Sequence, residues 1–187
     1  MLRDMKDASP PVSVPRIATP RLLLREFRMS DFEAFAENLA DPVATEHLSG
    51  VADRRAALRI FAAQMGFWML QGAGWWGIEL KETGELVGTV GAFFREPGAS
   101  PCSLRSPPDL ELGWVLYRRF WRQGFATEAA AAALAFSVEA HKPSRVIAHI
   151  SPGNVASIGV SRQLGMHYET DTELHDTVVG RYLIEPS

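Results

Sequence analysis

A single α+β domain, with strands and helices mixed around one central sheet, is the fold this sequence predicts. Three observations carry it. The chain has 187 residues, near the size of one domain, and shows no internal repeat. Residues 53–94 pass from apolar residues at helical spacing into two strand-like runs separated by Glu82-Thr83-Gly84-Glu85. Residues 111–134 read as a strand, a glycine-containing loop and a helix that opens on small residues.

Taken in order, residues 1–16 carry Pro10, Pro11 and Pro15 and read as a flexible leader to a domain spanning 17–187. Residues 21–28 are a strand candidate, Leu22 and Leu24 alternating with Leu23 and Arg25. Ser30-x-x-Glu33 has the spacing of a capping box and predicts a helix from Asp31 to about Ala40, stopped before Pro42. Asp53 suits the cap of a second helix whose buried face would carry Leu58, Phe61, Ala62, Met65, Trp68 and Met69, ending at Gly72 to Gly74. Trp75 to Leu80 and Leu86 to Phe94 follow as strands. Residues 96–108 hold Pro97, Gly98, Pro101, Pro107 and Pro108, too many breakers for an element, and read as an exposed insertion. After the strand and helix of 111–134, which ends near His141 to Pro143, Arg145 to Ile150 is a short strand. Asn154 suits the cap of a helix through Leu164, with Gly165 at its end. His167 to Thr172 and Thr177 to Ile184 are the last strands.

Composition narrows the functional classes. A hydrophobic fraction of 47% and a charged fraction of 22% are those of a globular protein. A net charge of −3 argues against nucleic acid or an anionic membrane as main partner. The single cysteine, Cys102, has no partner for an internal disulfide or a C-x-x-C metal knuckle. The first 15 residues lack the apolar segment of a signal peptide, and no apolar run approaches the roughly 20 residues of a membrane span. A cytoplasmic setting is the expectation. The five histidines show neither H-x-x-x-H nor H-E-x-x-H spacing, so no metal site is expected. No G-x-S-x-G elbow supports an esterase.

The loop Arg122-Gln123-Gly124-Phe125-Ala126-Thr127 carries the functional signal. A loop entering a helix presents unpaired backbone N–H groups at the positive end of a helix dipole. Gly124 and Ala126 leave room for close approach, which suits a phosphate or pyrophosphate. Ordinary turn chemistry would also place a glycine there. Neither G-x-x-x-x-G-K-[ST] nor G-x-G-x-x-G fits these residues, so both common nucleotide loops are poor matches.

The same run resembles the acyl-CoA pyrophosphate loop of the GNAT superfamily, roughly [QR]-x-x-G-x-[GA]. Trp121 stands at its first position, where Gln or Arg is commoner, which leaves the backbone cradle intact. Glu111-x-Gly113-Trp114-x-Leu116, Trp121 and Gly124-Phe125-Ala126-Thr127-Glu128-Ala129 are similar to the branch of ribosomal-protein-alanine N-acetyltransferases (RimJ/RimL-like). So are Thr19-Pro20-Arg21-Leu22-x-Leu24-Arg25 and Asn154-x-x-Ser157 followed by Leu164-Gly165-Met166. The resemblance implies a mostly antiparallel, twisted central sheet flanked by helices, with a splay between the fourth and fifth strands. It implies acetyl-CoA as acetyl donor, held by Arg122 to Thr127, by the backbone of Trp114, Val115 and Leu116, and by Asn154. It also implies an acceptor pocket shaped by the segment between the first two helices, where His47 could bind substrate and Trp75 or Trp76 could line the pocket.

Acetyl transfer to an amine needs an aligned thioester, a proton acceptor for the amine and a proton for the leaving thiolate. Glu111, at the start of the cofactor strand, is the candidate base, with His149 on the adjacent strand or water as alternatives. Many superfamily members use a tyrosine as the acid, but Tyr117, Tyr168 and Tyr182 all lie outside the Asn154 helix. Ser157, one turn after Asn154, is therefore the candidate acid. Cys102 falls in the proline-rich stretch with no basic neighbour, which disfavours a covalent acyl-enzyme. The expected function is N-acetylation of a primary amine, a protein N-terminus or a small molecule, by direct attack in a ternary complex. A monomer or homodimer is expected. The competing reading is a non-catalytic acyl-CoA-binding sensor or interaction module.

Overall fold

The computed structural model describes residues 13–48, 50–94, 109–174 and 176–186. Among these described residues, eight strands form one sheet in the order β1-β2-β3-β4-β5-β6-β8-β7. They are β1 (Ile17–Ala18), β2 (Leu22–Arg25), β3 (Gly74–Leu80), β4 (Leu86–Phe94), β5 (Leu110–Leu116), β6 (Val146–Ile150), β7 (His167–Leu174) and β8 (Thr177–Ile184). Every neighbouring pair is antiparallel except β5 with β6. That parallel pair is connected by a helix, as the geometry of a parallel crossover requires. The α-helices are α1 (Phe32–Ala40), α2 (Arg54–Gln71), α3 (Phe125–His141) and α4 (Val155–Gln163). The α+β expectation holds. The leader's first twelve residues, and the proline-rich stretch with Cys102, lie outside the described residues.

Period-two alternation in the strands separates two larger clusters from a smaller third one of Ala148, Ile150, Met166 and Tyr182. Leu22, Leu24, Trp76, Ile78, Val90, Leu110 and Leu112 pack with Phe125, Ala129, Ala130 and Ala133 of α3. The opposite face carries Phe27, Phe32, Phe35, Ala57 and Phe61, with α1 and α2 over it. Phe61 sits at the centre, its ring edge-on to Phe27, Phe32 and Phe35 at 5.2, 5.5 and 5.2 Å.

Local chemistry departs from expectation in three places. A one-turn 3₁₀ segment (Met29–Asp31) precedes α1. The reciprocal cap there is made by Asp31, not Glu33: the Asp31 carboxylate accepts from the Arg28 N–H at 2.7 Å. Its other duty is to pair with Arg25, buried beside it, whose second partner is Glu79. Asp53 caps α2 as expected, accepting from the Ala56 N–H at 2.7 Å, and Gly72 closes it at φ 66°. The buried face of α2, however, is Ala57, Phe61 and Trp68. Leu58, Ala62, Met65 and Met69 are exposed, because apolar residues surround this helix too widely for the pattern to point in one direction.

Candidate active site

The site begins where β5 and β6 part. Their parallel ladder covers only Leu110 with Val146 and Glu111 with Ile147. Beyond Glu111 the two strands diverge, and residues 112–116 keep β4 as neighbour on one side while the other side opens. Since the two-residue β1 is counted separately, the expected splay between fourth and fifth strands falls between β5 and β6. A cavity of about 500 Å³ opens along the freed β5 edge.

Four segments line it: the α1–α2 connection with Glu46 and His47, the β5 edge from Trp114 to Leu116, the loop from Trp121 into α3, and the start of α4 from Gly153 to Ser157. Thus Trp114, Val115, Leu116, Arg122, Gly124, Phe125, Ala126, Thr127, Asn154, Ser157 and His47 all line one cavity, from positions up to 110 residues apart, Ser157 less His47.

The loop's geometry explains its residues. Gly124 is the N-cap of α3 at φ 78°, ψ 1°, a left-handed conformation that glycine adopts at no steric cost. Arg122 also has positive φ, 60°. The first helical bond closes from the Glu128 N–H to the Gly124 carbonyl at 3.1 Å. The amides preceding it have no carbonyl one turn back and point along the helix axis at the cavity wall, where an anion is favoured. Trp121 donates its indole N–H to the Leu116 carbonyl at 2.7 Å, which ties the loop to the end of the β5 edge.

Asn154 caps α4, its Oδ1 accepting from the Ser157 N–H at 3.0 Å. Ser157 is half-buried in the cavity wall. None of the three tyrosines lines the cavity. Burial pushes the Tyr117 phenol far above its usual range, so it stays protonated. Glu111 and His149 stand at the apex of the fork, one on each diverging strand, Nδ1 to Oε1 3.2 Å apart. Both side chains are buried, and neither residue belongs to the cavity wall itself.

Three expected residues lie elsewhere. Trp76 is fully buried and donates its indole N–H to the Pro15 carbonyl; it is core and has no surface for substrate. Trp75 is half-buried, its ring spread across Gly91 and Gly113, where any Cβ would come within 2.4 and 2.9 Å of it. That reaches the β5 edge next to Trp114 but not the cavity wall. Gln123 faces away: its main-chain carbonyl accepts from Arg21 at 2.8 Å and its side-chain Nε2 donates to the Arg119 carbonyl at 3.3 Å. Sequence reasoning missed Glu46 and Gly153 in the wall, and no local pattern signals either. Among the described residues no group of three His, Cys, Asp or Glu side chains could hold a metal ion, and no helix is long and apolar enough to cross a membrane.

A model of the acetyltransferase (GNAT) domain matches residues 21–167, most of the chain. The chain belongs to the GNAT acetyltransferase family. An uncharacterized Bacillus subtilis (strain 168) protein, YkkB, is 30% identical over 82% of this chain and 86% of its own length. The solved structure of an acetyltransferase from Agrobacterium tumefaciens str. C58 superposes with a TM-score of 0.81 at 28% identity, covering 93% of this chain and 96% of that one. RimL, a ribosomal L7/L12 alpha-N-protein acetyltransferase solved with coenzyme A, has a TM-score of 0.74 at 17% identity, covering 91% and 98%; that likeness is one of fold. As a GNAT protein, this chain is an N-acetyltransferase, and its family's chemistry is acyl-CoA-dependent acetyl transfer.

Proposed function

We propose that this enzyme moves the acetyl group of acetyl-CoA to a primary amine, a protein N-terminus or a small-molecule amine, by direct attack in a ternary complex. The observation that carries the reading is the fork: an unpaired β5 edge and a glycine-capped helix start share one cavity. This set fits the donor. The α3 amides beside Gly124 suit a pyrophosphate, the main chain of Trp114 to Leu116 suits the amides of an extended arm as an added strand would, and Asn154 offers its side chain between them.

Acetyl-CoA supplies an activated thioester; the chain supplies alignment and proton movement. Ser157 offers a hydroxyl to the departing sulfur while its amide is held by Asn154. The Glu111–His149 pair at the apex accepts the amine proton, directly or through water. Glu46 and His47 border the cavity from the α1–α2 connection, and a carboxylate there favours approach of a cationic amine.

Thiol release from acetyl-CoA with a panel of amines and peptides tests the reading. Turnover with one class of acceptor is expected. Glu111→Gln should lower that turnover roughly 10²–10⁴-fold with CoA affinity unchanged and partial recovery at high pH. Tight CoA binding with no release for any acceptor would favour a CoA-binding module instead. A fully active Gln variant with an unaltered pH profile would remove the pair from the proton path.

A further inference from the structure

The loop beside Gly124 is held from behind by a segment over a hundred residues away in sequence. Glu128, in the first turn of α3, lies only 15% exposed and accepts three hydrogen bonds from residues 19–21. The Thr19 hydroxyl donates to Oε1 at 2.6 Å, the Arg21 N–H to Oε1 at 2.9 Å, and Arg21 Nε to Oε2 at 2.6 Å. The same guanidinium donates through Nη1 to the Gln123 carbonyl at 2.8 Å and covers the Phe125 ring at 4.6 Å. Its Nη2 stands 3.4 Å from where a Cβ on Gly124 would be. One side chain therefore touches the residues on both sides of the glycine and the first turn that follows it.

Neither Arg21 nor Glu128 lines the cavity. The segment that carries Arg21 is itself anchored in the sheet: the Lys81 N–H donates to the Arg21 carbonyl at 3.0 Å, and the Lys81 ammonium to the Thr19 carbonyl. Burial alone would raise the Glu128 pKa, but the Thr19 and Arg21 donors outweigh it and hold the carboxyl below its usual range. The bond to the Gln123 carbonyl turns that oxygen outward. Across a planar peptide, the oxygen's direction sets the opposite direction for the Gly124 N–H, toward the cavity wall. Positive φ at Arg122 and Gly124 gives the loop reason to relax if this hold is lost.

We infer that Arg21 and Glu128 form a clamp that positions the loop amides for a pyrophosphate, and so set affinity for CoA-linked donors without touching them. This rests on the reading that the Gly124 loop takes the pyrophosphate. The test compares two donors, acetyl-CoA and S-acetylpantetheine, which lacks the pyrophosphate. Arg21→Ala should raise KM for acetyl-CoA roughly tenfold, about one charge-assisted hydrogen bond's worth. Its kcat, and its kcat/KM with S-acetylpantetheine, should stay at the wild-type level. Arg21→Lys, which keeps the charge but not the fork, should fall between. Glu128→Gln should add little on top of Arg21→Ala, because both remove one unit. Thr19→Val, which removes the hydroxyl that donates to Glu128 and accepts from the Leu22 N–H, is the milder variant if Arg21→Ala melts below assay temperature. An equal rise for both donors, or no rise in any variant, would overturn the clamp. A Gly124→Ala enzyme that also shows no preference between the donors would place the fault in the loop assignment instead.

Discussion

Gly124→Ala isolates the conformational demand of the loop. The residue sits at φ 78°, ψ 1°, where an L-side chain costs roughly 1–2 kcal/mol relative to right-handed geometry. Steric crowding adds little: the nearest atom to the new Cβ is Arg21 Nη2 at 3.4 Å, an ordinary van der Waals contact. The whole cost is therefore backbone strain, and it has two places to go. If Arg21 and Glu128 hold the loop in its native shape, the strain persists and the ligand-free melting temperature falls by about 2–8 °C, the range for a chain of this size. CoA affinity then stays near wild type. If the loop relaxes instead, stability is kept but the amides ahead of Glu128 lose their common direction, and affinity falls by roughly 5- to 30-fold, the same free energy read as binding. Calorimetric melts of the ligand-free protein and CoA titrations on the same preparation give both quantities. Their combined loss should come to about 1–2 kcal/mol whichever way it divides. Melting temperature and CoA affinity both unchanged would refute the claim that this position requires glycine.

The other expectations concern α4, the aromatic core and the clamp's acid side. Asn154→Ala removes the acceptor for the Ser157 amide and should cost about 1 kcal/mol of stability together with CoA affinity. Ser157→Ala keeps that amide, so stability should move by less than about 1 kcal/mol, while single-turnover transfer slows nearer tenfold; equal rates would make Ser157 a helix residue only. Phe61→Ala empties the space between three edge-on rings and should cost about 3–5 kcal/mol in urea unfolding. Glu128 has a folded pKa below its unfolded value of about 4.3, so its contribution is complete above that value and is lost as pH falls through the folded one. Melts of wild type and Glu128→Gln should thus differ at pH 7 and converge as pH drops below about 4; a constant gap would show the carboxylate charge to be irrelevant.

Elements governed by near neighbours were legible in the sequence. The β3–β4 hairpin closes through Glu85 and Gly84 at the expected residues. Asp53 and Asn154 are caps because their side chains reach amides three residues on, a distance the sequence states directly. The fork was reached by resemblance, and most of the residues singled out there line one cavity. What local pattern could not give was direction. Trp75 and Trp76 are adjacent, so they point to opposite faces of β3; one became core and the other a plate over Gly91 and Gly113. The capping box went to Asp31 because Arg25, buried nearby, needs its carboxylate. Arg21 with Glu128 is a pairing across 107 residues, which no spacing rule announces. Glu111 and His149 were each singled out alone; only the register of β5 against β6 brings them together.

The two-rung ladder between β5 and β6 also divides the molecule mechanically. On one side, β1 to β5 form a continuous antiparallel block with α1 and α2; on the other, β6, β7 and β8 pair among themselves with α4 beside them. The blocks share few main-chain bonds, with α3 the covalent bridge. In amide hydrogen exchange such a seam separates cooperative units, and residues 146–184 should open with a lower free energy than the β2–β5 block. A molecule lodged in the fork touches both units at once. By bridging them it should raise protection across the whole C-terminal block and not only at the atoms it contacts.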